Sequence, residues 1–130
     1  MNHQCELAVR SYECDSNAHV NNAVYLNYLE YARMSFLNDI GVDYDGLRRK
    51  GLELVVTRIC IEYRLPLRSG DLLRIETSPR KLGRASCTFS QRIYRGEELA
   101  ADAEVVWACI DARGHPVRLP PELNIPELRP

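Results

Sequence analysis

Apolar side chains recur at helical spacing through one long segment of this chain. Residues 22–40 contain neither Gly nor Pro, and apolar positions fall three or four apart at Tyr25, Leu29, Ala32, Phe36 and Ile40. This spacing predicts one helix of roughly 28 Å at about 1.5 Å per residue. Gly41 follows directly, and a glycine just past the last turn commonly ends a helix.

The period of the apolar positions changes to two on both sides of this helix. Residues 6–13 predict a first strand, with Leu7 and Val9 on one of its faces. After the helix, polar side chains alternate with Ile59, Ile61, Tyr63 and Leu65, which is the pattern of a half-buried strand. Three further strands are predicted at 72–79, 85–94 and 99–110, with turns at 69–71, 81–84 and Gly96.

The predicted order is one strand, one long helix and then four or five strands. Short connections favour antiparallel pairing, so we expect an α+β fold whose sheet wraps around the helix. Residues 43–51 predict a polar connection with one short helical turn. Five of the seven prolines lie from Pro116 onward, so the tail 119–130 is expected to be extended and partly disordered. Uncovered sheet edges favour strand pairing between subunits.

Chain length and charge limit the classes of function. With 130 residues, the chain fits a single domain over residues 1–130. Its 17 basic and 18 acidic residues give a net charge of −1, so no overall field attracts nucleic acid or an anionic membrane. We expect neither of these partners, and an anionic ligand has to be held by a local site.

The N-terminal segment and the cysteines predict a cytoplasmic protein. Residues 1–10 lack the apolar core of a signal peptide, and no run of about 18 apolar residues occurs. The five cysteines form an odd set without a C-x-x-C pair, unlike a disulfide framework or a zinc site. We expect Cys60, Cys87 and Cys109 to pack within strands.

Polar side chains crowd the segment directly before the helix. Residues 15–22 hold the carboxylate of Asp15, the imidazole of His19 and several carboxamides. The free N–H groups at the start of a helix can hold negative charge, so the combination indicates acyl-transfer chemistry. Asp15 is a candidate general base or nucleophile, because an aspartate is normally ionised at neutral pH. Its alternative role is to form the turn or to cap the helix.

Acyl transfer needs an attacking group and a donor for the charge that forms on the carbonyl oxygen. If Asn22 begins the helix, its backbone N–H can face the reacting carbonyl, and such a donor is worth about 3 kcal/mol. Asn21 is expected to cap the helix. His19 can orient a water, bind substrate or carry a proton, and a structural role fits it equally well.

Three helix residues complete the candidates near this segment. Glu30 and Arg33 lie three apart, and a surface pair is their expected role. Glu30 is still the second carboxylate to test, because a base on the helix can reach a site formed across a subunit interface. Tyr25 is a candidate substrate contact, although packing is its favoured role. A nucleophilic Cys14 is disfavoured, because alternation turns it away from a site that Asp15 faces.

A second candidate binding segment is basic. Arg80, Lys81 and Arg84 surround Gly83 in a predicted turn between two strands. Such a turn can grip the phosphates of a nucleotide-like ligand, and solvated hairpin charge is the alternative. The sequence has no Walker or G-x-G-x-x-G pattern that would offer a competing phosphate site.

The motif around Asp15 resembles that of a known enzyme family. Similarity to hotdog-fold acyl-CoA thioesterases of the 4-hydroxybenzoyl-CoA thioesterase type is carried by Tyr12-x-x-Asp15-x-x-x-His19-Val20-Asn21-Asn22-x-x-Tyr25-x-x-x-x-Glu30-x-x-Arg33. The similarity continues over residues 7–111 through Ile61-x-Tyr63-x-x-Pro66-x-x-x-Gly70-Asp71-x-Leu73 and the strand around Trp107.

The resemblance implies a curved antiparallel sheet around one long helix, with a homodimer as the minimal unit and often a homotetramer. It implies an acyl-CoA thioesterase in which Asp15 is the catalytic carboxylate and the N–H of Asn22 polarises the thioester carbonyl. It matches Arg80, Lys81 and Arg84 with a site for the CoA nucleotide. An acyl carrier protein thioesterase and a non-catalytic acyl-CoA-binding protein are the alternatives. No metal or redox cofactor is implied.

Overall fold

The structure is a computed structural model that describes residues 2–130. One long helix lies against a sheet of five strands. The elements are β1 (His3–Ala8), a 3₁₀ turn (Ser11–Glu13), α1 (Asn22–Asp39), α2 (Tyr44–Arg49), β2 (Glu53–Tyr63), β3 (Leu72–Leu82), β4 (Ser86–Arg95), β5 (Glu98–Ile110) and two more 3₁₀ turns (Pro121–Leu123 and Pro126–Leu128). Within residues 2–130, no helix is long and apolar enough to cross a membrane.

The sheet is antiparallel throughout and has the strand order β1, β3, β4, β5, β2. Tight turns join β3, β4 and β5, so the centre of the sheet forms from consecutive hairpins. Three of the four strand pairs contain a register shift, near Thr57, Arg80 and Ala100. Such bulges bend a strand and increase its twist, which curves the sheet. The predicted α+β arrangement of one helix and one antiparallel sheet is confirmed.

The apolar side of α1 is packed against the sheet. Leu29, Ala32 and Phe36 are completely buried, and the Phe36 ring lies 5.3 Å from that of Phe89 on β4. The observed range Asn22–Asp39 agrees with the predicted helix. Gly41 has a φ of 83°, a left-handed conformation that glycine adopts without strain, so its predicted role as the stop is confirmed.

The C-terminal tail packs onto the core, so the prediction of an extended and partly disordered segment at 119–130 is wrong. Leu123 and Leu128 are 1% and 0% exposed, and they lie in the same apolar cluster as Phe36. Glu122 forms an ion pair with Lys50, which follows α2. The prolines begin two 3₁₀ turns, because their fixed φ suits the first position of a helical turn.

β1 ends at Ala8, before the predicted end of the first strand at residue 13. The N–H of Val9 already donates to the carbonyl of Asp71, outside the ladder with β3, at 2.9 Å. The N–H of Glu13 then donates to the carbonyl of Arg10 at 3.0 Å, which closes a 3₁₀ turn, and the Glu13 carboxylate accepts the backbone N–H of Arg10 at 2.8 Å. Hydrogen bonds between residues three apart offer the backbone an alternative to strand pairing, and the chain adopts this alternative at residues 10–13.

The cysteine predictions are confirmed at two positions and wrong at the third. Cys87 and Cys109 are buried within β4 and β5. Cys60 is exposed, because it lies on β2, the outermost strand on its side of the sheet, with its side chain on an uncovered surface.

Arg33 is buried, so the predicted surface pair with Glu30 is wrong. Only 8% of Arg33 is exposed, and its Nη1 donates to Oε1 of Gln91 at 3.0 Å. Nε2 of Gln91 in turn donates to the carbonyl of Leu29 and to the hydroxyl of Thr77, both at 3.0 Å. Burial lowers the pKa of Arg33. Glu30 lies on the exposed side of α1.

Candidate active site

A small hairpin carries the polar segment from the first 3₁₀ turn to α1. Its two rungs run from the N–H of Asn21 to the carbonyl of Glu13 (3.0 Å) and from the N–H of Asp15 to the carbonyl of His19 (2.8 Å). At the tip, the N–H of Ala18 donates to the carbonyl of Asp15 at 3.0 Å, and Ala18 has a φ of 61°. A tight turn followed by a left-handed residue is a common way to close a short hairpin.

Asp15 supports this turn with only one of its carboxylate oxygens. Oδ1 accepts the backbone N–H of Asn17 at 2.9 Å. Oδ2 has no hydrogen-bond partner within residues 2–130, and the side chain is exposed. The turn-forming role predicted for Asp15 is therefore present, and it leaves the second oxygen available for chemistry.

The start of α1 leaves one backbone donor unused. The side chain of Asn21 accepts the N–H of Ala23 at 2.9 Å, which confirms Asn21 as the N-cap. The N–H of Val24 donates to the carbonyl of Asn21 at 2.9 Å. The N–H of Asn22 has no acceptor in the described part of the chain, as expected for the first residue of a helix. This N–H is therefore free to bind a ligand oxygen.

Asp15 and Asn22 line one open pocket of about 330 Å³. Its wall is built from the hairpin, the first turn of α1 and the segment that follows β2, and the lining residues are Asp15, His19, Val20, Asn22, Tyr25, Tyr63, Arg64, Leu65 and Pro66. The hairpin and that segment are tied by the bond from the N–H of Val20 to the carbonyl of Leu67 at 2.8 Å. The candidate groups thus converge from three separate parts of the chain.

Two tyrosines contribute their rings to the wall of this pocket. The Tyr25 hydroxyl donates to the carbonyl of Leu65 at 3.0 Å, and the Tyr63 hydroxyl donates to the carbonyl of Asn22 at 2.9 Å. Their rings meet edge to face with centroids 4.9 Å apart. Burial raises the pKa of Tyr25. Both hydroxyls are therefore occupied by backbone carbonyls, and the rings provide packing surface.

His19 is half-buried at the rim of the pocket. Its ring makes no hydrogen bond to any residue from 2 to 130, so the side chain can turn toward a bound water or ligand. Cys14 pairs with Val20 across the hairpin and does not line the pocket, as strand alternation predicts.

A buried carboxylate behind the hairpin was missed by sequence reasoning. Glu13 is 8% exposed and accepts hydrogen bonds from Nη2 of Arg10 at 2.8 Å and from the hydroxyl of Tyr28 at 2.9 Å. Burial raises the pKa of Glu13, but the hydrogen bonds from Arg10 and Tyr28 outweigh it and leave that pKa below its ordinary value. Burial and the bond to Glu13 raise the pKa of Tyr28. Nothing in the residue spacing pointed to this cluster.

The structure does not bring Glu30 or the basic residues into this pocket. Arg80 and Lys81 lie within β3 rather than in a turn, because the strand continues through a bulge to Leu82. Arg84 follows in the turn and lines a different cavity of about 520 Å³, together with Arg118 and Arg129 of the tail. The two cavities share no lining residue, so Arg84 lies outside the Asp15 pocket.

His, Cys, Asp and Glu side chains can also bind metal ions. Among the described residues, no three His, Cys, Asp or Glu side chains are grouped so that they could share an ion.

Comparison with known proteins decides the family. The model of the thioesterase-like superfamily matches residues 9–125, which include the hairpin, α1 and all of the pocket. The chain belongs to this superfamily. It is 36% identical to the long-chain acyl-CoA thioesterase FadM of Escherichia coli over 112 residues, covering 85% of this chain and 84% of FadM.

Another relative belongs to a plant. The chain is 33% identical to the chloroplastic acyl-acyl carrier protein thioesterase ATL3 of Arabidopsis thaliana, over 94% of this chain. It spans 65% of the length of ATL3 and 64% of the length of the related ATL2.

Solved structures of similar proteins share the fold. YbaW, a probable thioesterase from Escherichia coli, is 35% identical with a TM-score of 0.80, covering 92% of both chains. A hypothetical protein from Aquifex aeolicus is 29% identical with a TM-score of 0.87, covering 93% of this chain and 95% of that one. The predicted hotdog fold and the resemblance to hotdog-fold thioesterases are confirmed.

Proposed function

We propose that this chain is an acyl-CoA thioesterase, which hydrolyses a thioester to a free carboxylic acid and CoA. The observation that carries the proposal is that a carboxylate, Asp15, and an unused helix donor, the N–H of Asn22, line one pocket. Thioester hydrolysis needs these two kinds of group. The thioesterase activity in the names of FadM and ATL3 supports the same reaction class.

In the proposed mechanism, the N–H of Asn22 donates to the oxygen of the thioester carbonyl. Negative charge grows on this oxygen as the carbonyl carbon is attacked, and the partial positive charge at the start of α1 stabilises it. Asp15 accepts a proton from the attacking water. When the tetrahedral intermediate collapses, the C–S bond breaks, the sulfur leaves with the electron pair, and the proton passes from Asp15 to the thiolate.

A second route uses Asp15 as the nucleophile. Its free Oδ2 attacks the carbonyl carbon, the C–S bond breaks, and the CoA thiolate leaves with the electron pair, which gives a mixed anhydride. Water then opens the anhydride to the carboxylic acid and the regenerated Asp15 carboxylate, and the proton that the water releases goes to the thiolate. In either route, His19 at the rim is assigned to orient the water or to carry a proton. Tyr25 is assigned to pack against the bound thioester arm, since its hydroxyl is already bonded to a backbone carbonyl.

Asp15→Asn and Asp15→Ala test the proposal directly. Both variants are assayed with a panel of acyl-CoA substrates of varied length and ring content. Loss of the reacting carboxylate is expected to lower kcat by about 10³-fold or more. Asp45→Asn is the matched control and should leave kcat unchanged, because the Asp45 carboxylate is exposed on α2, where it pairs with Arg48. A folded Asp15→Ala variant with wild-type kcat would remove Asp15 from the mechanism, and ligand binding without any hydrolysis would favour a non-catalytic acyl-CoA-binding protein.

We further propose that the working unit is a homodimer, or a homotetramer built from it. The outer edge of β2 is unpaired in a single chain, and Val56 and Tyr63 on this strand are 41% and 45% exposed. Tyr31 and Met34 on α1 are also exposed. A second copy would cover these apolar groups and pair the free strand edge. Sedimentation at several concentrations tests this, and a monomer throughout would reject it.

The carrier is proposed to be CoA, with acyl carrier protein as the alternative that the similarity to ATL3 favours. Arg80, Lys81 and Arg84 are assigned to the nucleotide. None of them lines the Asp15 pocket of the same chain, so a second subunit is proposed to present them. Charge reversal at these positions should raise KM for acyl-CoA and leave KM for the matching acyl-pantetheine unchanged, because the latter lacks the nucleotide phosphates. An equal KM change for both substrates would reject the assignment.

Kinetics on one acyl chain, carried either by CoA or by acyl carrier protein, separate the two alternative carriers.

A further inference from the structure

Glu13 is a carboxylate that the protein buries at considerable desolvation cost. Its Oε2 is bonded to Nε and Nη2 of Arg10 at 3.2 and 2.8 Å. Its Oε1 accepts the backbone N–H of Arg10 at 2.8 Å and the hydroxyl of Tyr28 at 2.9 Å. Four donors on one carboxylate fix both the position and the plane of the group.

These bonds link the two halves of the candidate site. Glu13 lies two residues before Asp15 on the incoming chain, and Tyr28 lies on α1, whose first residue is Asn22. The backbone carbonyl of Glu13 also accepts the N–H of Asn21, the N-cap, at 3.0 Å. One residue therefore holds the start of the helix through its backbone and the second turn of the helix through its side chain.

We propose that Glu13 is a positioning residue for the hydrolysis, which sets the separation between the Asp15 carboxylate and the Asn22 N–H through its bonds to Tyr28 and Asn21. This inference rests on the proposed function. The physical reason is that attack and charge stabilisation act on one carbonyl group, so both must reach it in a single geometry. An error of about 1 Å in such an arrangement can cost about 100-fold in rate.

The variants separate positioning from general stability. Tyr28→Phe removes only the hydroxyl bond to Glu13, and Glu13→Gln keeps the shape while removing the charge. Tyr44→Phe is the matched control, because the Tyr44 hydroxyl is directed at the sulfur of Met34 at 3.5 Å, away from the pocket. All assays are run well below the unfolding midpoint of each variant, so that stability differences do not enter the rates.

We expect kcat to fall by about 10-fold in Tyr28→Phe and by up to about 100-fold in Glu13→Gln, with KM changed by less than about threefold. The double variant should be no worse than Glu13→Gln alone, because both changes break the same link. Tyr44→Phe should keep the wild-type kcat. Wild-type kcat in folded Glu13→Gln, in an enzyme that Asp15→Asn inactivates, would overturn the positioning role and leave the proposed function intact.

A second measurement does not depend on activity. Backbone amide resonances of Asp15 and Asn22 are compared by NMR in wild type, Tyr28→Phe and Tyr44→Phe. We expect Tyr28→Phe to shift both amides and to speed the solvent exchange of the Asp15 amide, which is hydrogen-bonded to the carbonyl of His19, whereas Tyr44→Phe should move neither. If wild type hydrolyses no thioester but these shifts occur, the proposed function fails while the link through Glu13 stands. Unmoved amides in Tyr28→Phe would overturn the link.

Discussion

The hydroxyl of Tyr63, at the end of β2, donates a hydrogen bond of 2.9 Å to the backbone carbonyl of Asn22, the first residue of α1. The sheet edge and the helix start are thereby joined at the residue whose N–H is the proposed oxyanion donor. The ring of Tyr63 also packs on Tyr25. A residue that is 45% exposed thus supports the pocket from its open side.

Tyr63→Phe is expected to lower the free energy of unfolding by about 1 kcal/mol, because it removes one hydrogen bond and keeps the ring contact. It should also lower kcat, since the first turn of α1 loses its tie to the sheet. Urea unfolding and acyl-CoA kinetics measure the two effects. Tyr44→Phe, which removes only a hydroxyl directed at the weak acceptor sulfur of Met34, is the control and should change neither quantity. Wild-type values in both assays for Tyr63→Phe would show that the bond is not formed in solution.

Ala18→Gly is expected to stabilise the protein. Ala18 has a φ of 61°, a left-handed conformation that costs an L-residue about 1–2 kcal/mol and glycine almost nothing. The greater freedom of glycine in the unfolded chain offsets part of this gain, which leaves a net increase of roughly 0.5–1 kcal/mol in the free energy of unfolding. Ala23→Gly, in the first turn of α1, should instead lose stability. A loss of stability in Ala18→Gly would contradict the left-handed conformation.

Asn21→Asp is expected to separate stability from catalysis. The new carboxylate can still accept the N–H of Ala23, and a negative charge is favourable at a helix start by about 0.5 kcal/mol, so the fold should be at least as stable. The same charge lies beside the N–H of Asn22 and repels the negative charge that forms on the substrate oxygen. We expect kcat to fall about 10-fold, a change of about 1.4 kcal/mol in the barrier. Unchanged kcat would exclude the N–H of Asn22 as the oxyanion donor.

The sequence predicts those elements of the fold that depend on interactions between residues close together in the chain. The period of apolar positions and Gly41 were sufficient for α1, and the polar composition of residues 15–22 was sufficient for a turn at Asp15. Tyr63 and Glu13 were missed as site residues because their bonds to α1 span 41 and 15 positions in the chain. The tail was misjudged for the same reason. Its prolines favour extended backbone locally, while the groove that buries Leu128 is built from distant strands.

Arg33 and Gln91 form a buried hydrogen-bonded pair. We expect the intact pair to add little to the free energy of unfolding, and the loss of one partner alone to lower it strongly. Gln91→Leu leaves the Arg33 guanidinium buried without its acceptor and should lower the free energy of unfolding by about 3 kcal/mol. In Arg33→Met with Gln91→Leu, the buried charge that needed the acceptor is absent, so part of that loss should be recovered. The rest remains, because the Leu29 carbonyl and the buried Thr77 hydroxyl lose the Gln91 donor in both variants. Urea unfolding of both single variants and the double variant measures the coupling. Additive losses would contradict it.

Acid stability gives a test of the buried carboxylate at Glu13. Its pKa in the folded protein lies below the ordinary value of 4.5, through the donors on Arg10 and Tyr28. A lowered pKa means that ionised Glu13 stabilises the fold at pH values above 4.5, and that this contribution is lost as the pH falls through the folded pKa.

Wild type should therefore exceed Glu13→Gln in stability at neutral pH, and the difference should shrink as the pH falls through the acid range. The pKa values of Asp111 and Glu122 are also lowered, by hydrogen bonds from His115 and Lys50 respectively. Both residues are present in wild type and in Glu13→Gln, so their contributions to the pH dependence of stability cancel in the difference. Urea unfolding from neutral to acid pH measures this difference directly. A difference that stays constant with pH would mean that the contribution of Glu13 is one of shape, and that its charge is not coupled to folding.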